Sequence, residues 1–199
     1  MSGAAGVYLR GDIGYGLVAT PDISESGVYS LDAVNEQDEW NYSGGIGWYL
    51  DERWRTDLTL DLRGTSDVDA VMIDAGGPIG PGPRLFDVTS TYALANLYYD
   101  FNVHPQLSPY LGAGIGFSLN HTGNGVAIDA TSCDCSAGFE GADTLAFAWA
   151  LMAGFSSDWG EGLHFDAGYR LVGLGNAETG DLIRISDSTS HGTIEVENM

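Results

Sequence analysis

The chain has 199 residues, 29 of them glycine, and its formal net charge of −21 comes from 28 acidic residues set against seven arginines and no lysine. Phosphate binding needs clustered positive charge, so this balance argues against a nucleic-acid partner. Charged residues make up only 18% of the chain, no linker divides it, and no apolar run approaches the roughly 20 residues of a membrane helix; the composition describes one domain, 1–199.

The first element, 7–19, alternates: Val7, Leu9, Ile13, Tyr15 and Leu17 fall on one face, Arg10 and Asp12 on the other. A period of two is a strand with one apolar face. After an acidic connection at 20–39 comes a second strand at 40–50, then a short turn at 51–53. The third strand, 54–64, sets Trp54, Leu58, Leu60 and Leu62 opposite Arg55, Asp57, Asp61 and Arg63.

A long connection at 65–89 carries PIGPGP (78–83), a rigid excursion unable to continue a sheet. Strand four, 90–101, contains Asp100 and leads through a short turn into strand five, 109–119. There Leu111, Ala113, Ile115 and Phe117 alternate with Gly112, Gly114, Gly116 and Ser118. The GxG spellings here and at 14–16 and 45–47 lack the following helix of a phosphate loop, and close strand packing accounts for them.

The third long connection, 120–144, holds SCDCS at 132–136. Three readings of Cys133 and Cys135 stay open: a strained disulfide, free or intermolecular thiols, or a metal site with His121, Asp129 and Asp134 as co-ligands, although no recognised zinc spacing occurs. Strand six, 145–156, pairs large residues on one face with alanines on the other. Strand seven, 163–172, sets Leu163, Phe165, Ala167, Tyr169 and Leu171 opposite His164, Asp166 and Arg170. A fourth long connection, 173–190, precedes a weaker eighth strand at 191–197, with Glu195 and Glu197 on one face.

Long connections therefore alternate with short turns, and they emerge at one end only. This is the plan of an outer-membrane barrel, and the expectation is an all-β, eight-stranded antiparallel up-and-down transmembrane β-barrel. An eight-stranded bore barely holds its side chains, so inward charges must pair or meet trapped water. Arg10, Asp12, Arg55, Asp57, Asp61, Arg63, Asp100, Asp166 and Arg170 form the expected polar plug. Trp40, Trp48, Trp54, Tyr99, Phe101 and Tyr169 supply interfacial girdles.

Catalysis finds little support. Ser190 and His191 are adjacent in sequence, which places their side chains on opposite strand faces, and no G-x-S-x-G elbow occurs. Nor does 1–6 (MSGAAG) read as a signal peptide; it fits the remnant of a cleavage site in a mature form.

The segments VYLRGDIGYG (7–16), ALANLYYDF (93–101), PYLGAGIGFS (109–118) and FAWALMAGFSSDWGEGLHFDAGYRLVGLGN (147–176) resemble the porin-like outer-membrane β-barrel proteins of Gram-negative bacteria, the eight-stranded opacity-protein and surface-antigen group. The resemblance implies an outer-membrane location with loops at the cell surface and no shared catalytic residues. It departs at HGTIEVENM (191–199), which lacks the terminal aromatic of such barrels.

The leading expectation is a non-enzymatic outer-membrane protein without cofactor, with a structural, adhesive or interaction role. Its expected partners are outer-membrane lipid, other surface proteins or another copy of itself, and Ca²⁺ on the acidic loops. The alternatives are a small channel with a charged lumen and a soluble lipocalin-like ligand-binding barrel.

Overall fold

The computed structural model describes residues 6–17, 22–25, 29–33, 39–72, 80–101, 103, 107–129, 136–185, 188–190 and 192–197. Cys133, Cys135, Asp134 and His191 lie outside them. Among the described residues there is no helix, and every strand pairing is antiparallel. Seven long strands build a curled wall: β1 (Val7–Gly16), β4 (Glu39–Tyr49), β5 (Trp54–Met72), β6 (Gly82–Asp100), β7 (Ser108–Thr122), β10 (Ala142–Asp158) and β11 (His164–Gly173). They pair in the order β1-β4-β5-β6-β7-β10-β11.

Two of the three short connections are turns, as the sequence leads one to expect, and most of the third, 102–108, lies outside the described residues. Between β4 and β5 the Asp51 carboxylate accepts from the backbone N–H groups of Arg53 and Trp54 at 2.7 and 2.8 Å. Between β10 and β11 the chain reverses through Gly160, Glu161 and Gly162, all at positive φ.

The polarity of the wall is that of a membrane barrel. Leu9, Ile13, Leu58, Leu60, Ile115, Phe117, Phe147 and Tyr169 are exposed on the outside, whereas Asp57, Asp61 and Arg55 are buried in the bore. A soluble ligand-binding barrel needs the reverse arrangement. The lipid-facing band ends at one row of cross-strand neighbours, Leu62, Thr91, Leu119 and Leu145. Directly above it the outer face turns polar: Thr65 and Thr89 share a hydroxyl hydrogen bond of 3.1 Å, and His121 Nδ1 lies 2.7 Å from Asp143. At the turn end Trp54, Tyr99 and Phe101 stack edge to face with centroids 5.0 and 4.9 Å apart. Tyr15 and Trp40 make the matching contact at the loop end.

The glycines of β7 explain how so narrow a bore holds large side chains. Gly112, Gly114 and Gly116 sit opposite Tyr98, Asn96 and Leu94 of β6. A Cβ on Gly112 or Gly114 would collide with the Tyr98 ring or the Asn96 amide, and one on Gly116 would meet the Ala93 carbonyl oxygen. Small residues on one strand make room for large ones on the next.

The long connections differ from the solvated loops expected at 20–39, 65–89, 120–144 and 173–190. Strands β5 and β6 continue past the membrane, with one register shift between Leu62 and Thr65. Short strands join them: β2 (Asp22–Glu25), β3 (Tyr29–Ala33), β8 (Gly125–Ile128), β9 (Ser136–Phe139), β12 (Ala177–Glu178), β13 (Ile183–Arg184) and β14 (Ile194–Glu197). The PIGPGP segment enters this sheet as well, because Gly82 and Pro83 begin β6 and pair with Met72 and Val71. The extension is ordered by its own apolar core, in which Ile23, Met72, Phe86, Val88, Phe139, Leu182, Ile194 and Val196 are buried together. Apolar residues scattered through acidic connections converge only once those connections stand upright as strands.

The strand expected at 191–197 is present as β14. It lies in this extension, between β2 and β12, and so joins the loop ends of the first and last wall strands. At membrane level β1 and β11 remain the two edges of the described wall.

Within the extension, Arg84 and Glu25 form an ion pair at 2.8 Å with both side chains fully buried. Arg84 also donates to the carbonyls of Gly80, Gly82 and Ile128. Such a pair holds a unique arrangement because breaking it leaves an uncompensated charge. Arg84→Met alone is therefore expected to lower stability by about 3–5 kcal/mol, while Arg84→Met with Glu25→Leu recovers most of the loss; urea midpoints of heat-modifiable gel migration measure both. Gly116→Ala is expected to cost about 1–3 kcal/mol on the same assay, since the obstructing atom is backbone.

Candidate functional site

The bore is the site the sequence points to, and β5 is its spine. Successive inward residues of this strand, Arg55, Asp57, Thr59, Asp61 and Arg63, ascend from turn end to loop end because side chains alternate along a strand. At the lowest level Arg55 lies 3.2 Å from Asp100 on β6 and 2.8 Å from Asp166 on β11, across the bore. Its guanidinium is held between the rings of Tyr98 and Tyr110, with centroids at 4.6 and 4.8 Å. Cation–π contact on both sides compensates a charge removed from water.

One level higher, Arg10 of β1 bridges Asp12 at 2.8 Å and Asp57 at 2.6 Å. Asp57 has no solvent exposure, and Asn96 donates to its other oxygen at 2.7 Å. Arg10 also donates to the Tyr98 hydroxyl, and the Tyr8 hydroxyl donates to Asp57. Above this cluster Arg170 of β11 pairs with Asp61 of β5. At the loop end Arg63 meets Glu39 of β4 at 2.8 Å.

All nine bore residues named from parity thus face inward, and every one takes part in an ion pair. Apart from Arg10 and Asp12, which share β1, the pairing runs between strands separated in sequence, so those partners could not be assigned in advance. Glu39, Asn96 and the tyrosines 8, 98 and 110 were missed. Glu39 sits one residue before the strand boundary read from the sequence, and a tyrosine in an alternating pattern gives no sign of which way its hydroxyl points. The Arg84–Glu25 pair was missed because both residues fall in connections read as loops.

Elsewhere the chemistry is sparse. The Ser190 hydroxyl donates to Asp181 at 3.0 Å, and His191, its sequence neighbour in the dyad considered, lies outside the described residues. Among the described residues no group of three or more His, Cys, Asp or Glu side chains converges to hold a metal ion. Of the co-ligands considered for the cysteine segment, His121 is engaged with Asp143 on the outer face and Asp129 is buried.

This arrangement agrees with what the chain is similar to. A family model described as outer membrane protein beta-barrel domain matches residues 2–191. Uncharacterized proteins of Brucella suis biovar 1, Brucella melitensis biotype 1 and Brucella abortus are each 30% identical to it, over 87% of this chain and 70% of theirs. Among solved structures, Neisserial surface protein A aligns with 99% of this chain and 95% of its own at 16% identity and a TM-score of 0.48. With an antiparallel wall, apolar outside and ion-paired inside, and a family match over nearly its whole length, the chain belongs to the outer-membrane β-barrel domain family and resides in the outer membrane of Gram-negative bacteria.

Proposed function

We propose that the protein is a non-enzymatic, non-conducting outer-membrane barrel whose acidic extension serves as a contact surface at the cell exterior. The observation that carries this reading is that the bore is blocked twice. Four arginines and their carboxylate partners fill it through the membrane, and the apolar core of the extension lies above them. An ion path needs continuous water, and the apolar level interrupts it.

The surface above the lipid band supports a role in contact. Asp67, Asp143 and Glu178, all carried on strands, are exposed there, as is Asp181 between two of the short strands. Such a face would favour basic partners and raise their encounter rate at low salt.

The channel reading makes the opposite demand. Protein reconstituted in planar bilayers is expected to give no discrete conductance steps, and reproducible unitary steps would overturn the sealed-bore reading. Arg10→Ala leaves the enclosed Asp57 without its guanidinium and is expected to cost about 3–5 kcal/mol in urea titration. The same variant should stay electrically silent, because the apolar core above the bore is untouched.

A further inference from the structure

The outer face turns polar above the lipid band, at Thr65, Thr89, His121 and Asp143, and further from the membrane it turns apolar again. Strand β9 is the axis of this second apolar zone, with β8 paired to one side of it and β13 to the other. Ala137 and Phe139 belong to the buried core of the extension, so Ser136 and Gly138 face outward by alternation. Beside them stand Val126 and Ile128 on β8 and Ile183 on β13. Ile185 follows, its backbone N–H donating to the Ser136 carbonyl at 3.0 Å. All four aliphatic side chains are exposed, Ile183 at 46% and Ile185 at 69%.

The arrangement is a groove. Its floor is the two small residues of β9, and its walls are the aliphatic residues on the neighbouring strands, about 10 Å apart because they are two strand spacings from each other. A Cβ placed on Gly138 meets no atom within 4 Å, so the floor has room for an incoming side chain. Exposed apolar surface rimmed by polar groups marks a contact site.

The rim sets the charge of what fits. Toward the membrane the next outward positions after Gly138 and before Ile183 are Glu140 and Asp181, both exposed. The Gly180 N–H donates to the Glu140 carbonyl at 2.9 Å and keeps these two segments side by side. Asp143 comes next on β10. The chain has no lysine, Arg84 is fully buried inside the extension, and Arg184 alternates to the other side of β13 with its Nε buried. A second copy would bring Glu140 and Asp181 against their own kind, on a chain of net charge −21. Anionic lipid headgroups would meet the same acids. An extended segment laid face-on would leave backbone groups unpaired over aliphatic side chains, whereas a helix satisfies them internally.

We infer that the groove along β9 is the docking site for an amphipathic helix of a partner protein, with aliphatic residues at i and i+4 over Ser136 and Gly138 and a lysine or arginine at i+8 against Glu140 and Asp181. Residues i and i+4 of a helix stand about 6 Å apart along its axis, close to the roughly 6.8 Å between alternate residues of a strand, so the two repeats match over this short length. Aliphatic anchors one turn apart are the usual grip of a helix in a groove. The inference rests on the reading of the acidic extension as a contact surface and names the partner's chemistry.

The test uses the full chain folded in zwitterionic detergent and a fluorescent helical peptide of about 16 residues, alanine and glutamine except for leucine at i and i+4 and lysine at i+8, with anisotropy as the readout. Saturable binding is expected. It should weaken at least about tenfold in Gly138→Phe, which fills the floor, and in Val126→Ser with Ile183→Ser, which strips the walls; heat-modifiable gel migration checks that each variant folds. Glu140→Gln with Asp181→Asn should weaken the lysine peptide and leave a peptide with glutamine at i+8 unchanged. Equal affinity for the parent chain and both groove variants would overturn the groove. So would self-association of the chain that Gly138→Phe abolishes, or displacement of the peptide by phosphatidylglycerol vesicles. Oligolysine, which needs the acidic surface but no groove, separates the two readings: if it binds and the helix does not, the groove alone falls, and if neither binds, the contact surface falls with it.

Discussion

Asp57 has no contact with solvent, and the interior of the barrel is arranged around its neutralisation. Arg10 reaches it from β1, Asn96 from β6 and Tyr8 from β1 again, while Tyr98 receives a hydrogen bond from Arg10 and places its ring beside Arg55. An isolated carboxylate in so dry a place would be prohibitively costly, so each neighbouring choice is constrained by it. The glycines of β7 belong to the same constraint. They exist opposite Tyr98 and Asn96 because those side chains, needed in the network, occupy the bore.

The molecule above the membrane obeys a different rule. Its interior is apolar and its outside acidic, the ordinary polarity of a water-soluble fold, whereas the wall below is apolar outside and charged inside. The two regimes share β5 and β6, and the register shift between Leu62 and Thr65 falls where one passes into the other. On the outer face the polar row of Thr65, Thr89, His121 and Asp143 marks the same level. One buried ion pair, Arg84 with Glu25, interrupts the apolar interior, and its carbonyl contacts tie the beginning of β6 to β2 and β8.

Much of the wall was legible before any coordinates, because a period of two is a local property and lipid demands that it be strict. Strand β5 is the plainest instance: Leu58, Leu60 and Leu62 face out and Asp57, Asp61 and Arg63 face in, as alternation requires. The extension was not legible. Phe86, Phe139 and Leu182 lie in connections whose acidic and glycine-rich composition is that of solvated loop, and nothing local says that they meet. The final strand shows both sides. A strand near 191–197 could be anticipated, but its place beside β2 and β12 follows from long-range pairing.

The amino-acid order by itself determined which residues face lipid and which face the bore, where the turns fall, and that the bore is charged, since all of these follow from side-chain alternation and from the absence of water in the bilayer. Only the tertiary structure decided which arginine meets which carboxylate, that the long connections stack into a second core, and that β14 pairs with β2 and β12. Those are contacts between residues distant in sequence. Their geometry depends on curvature and register, which no short stretch of the chain encodes alone.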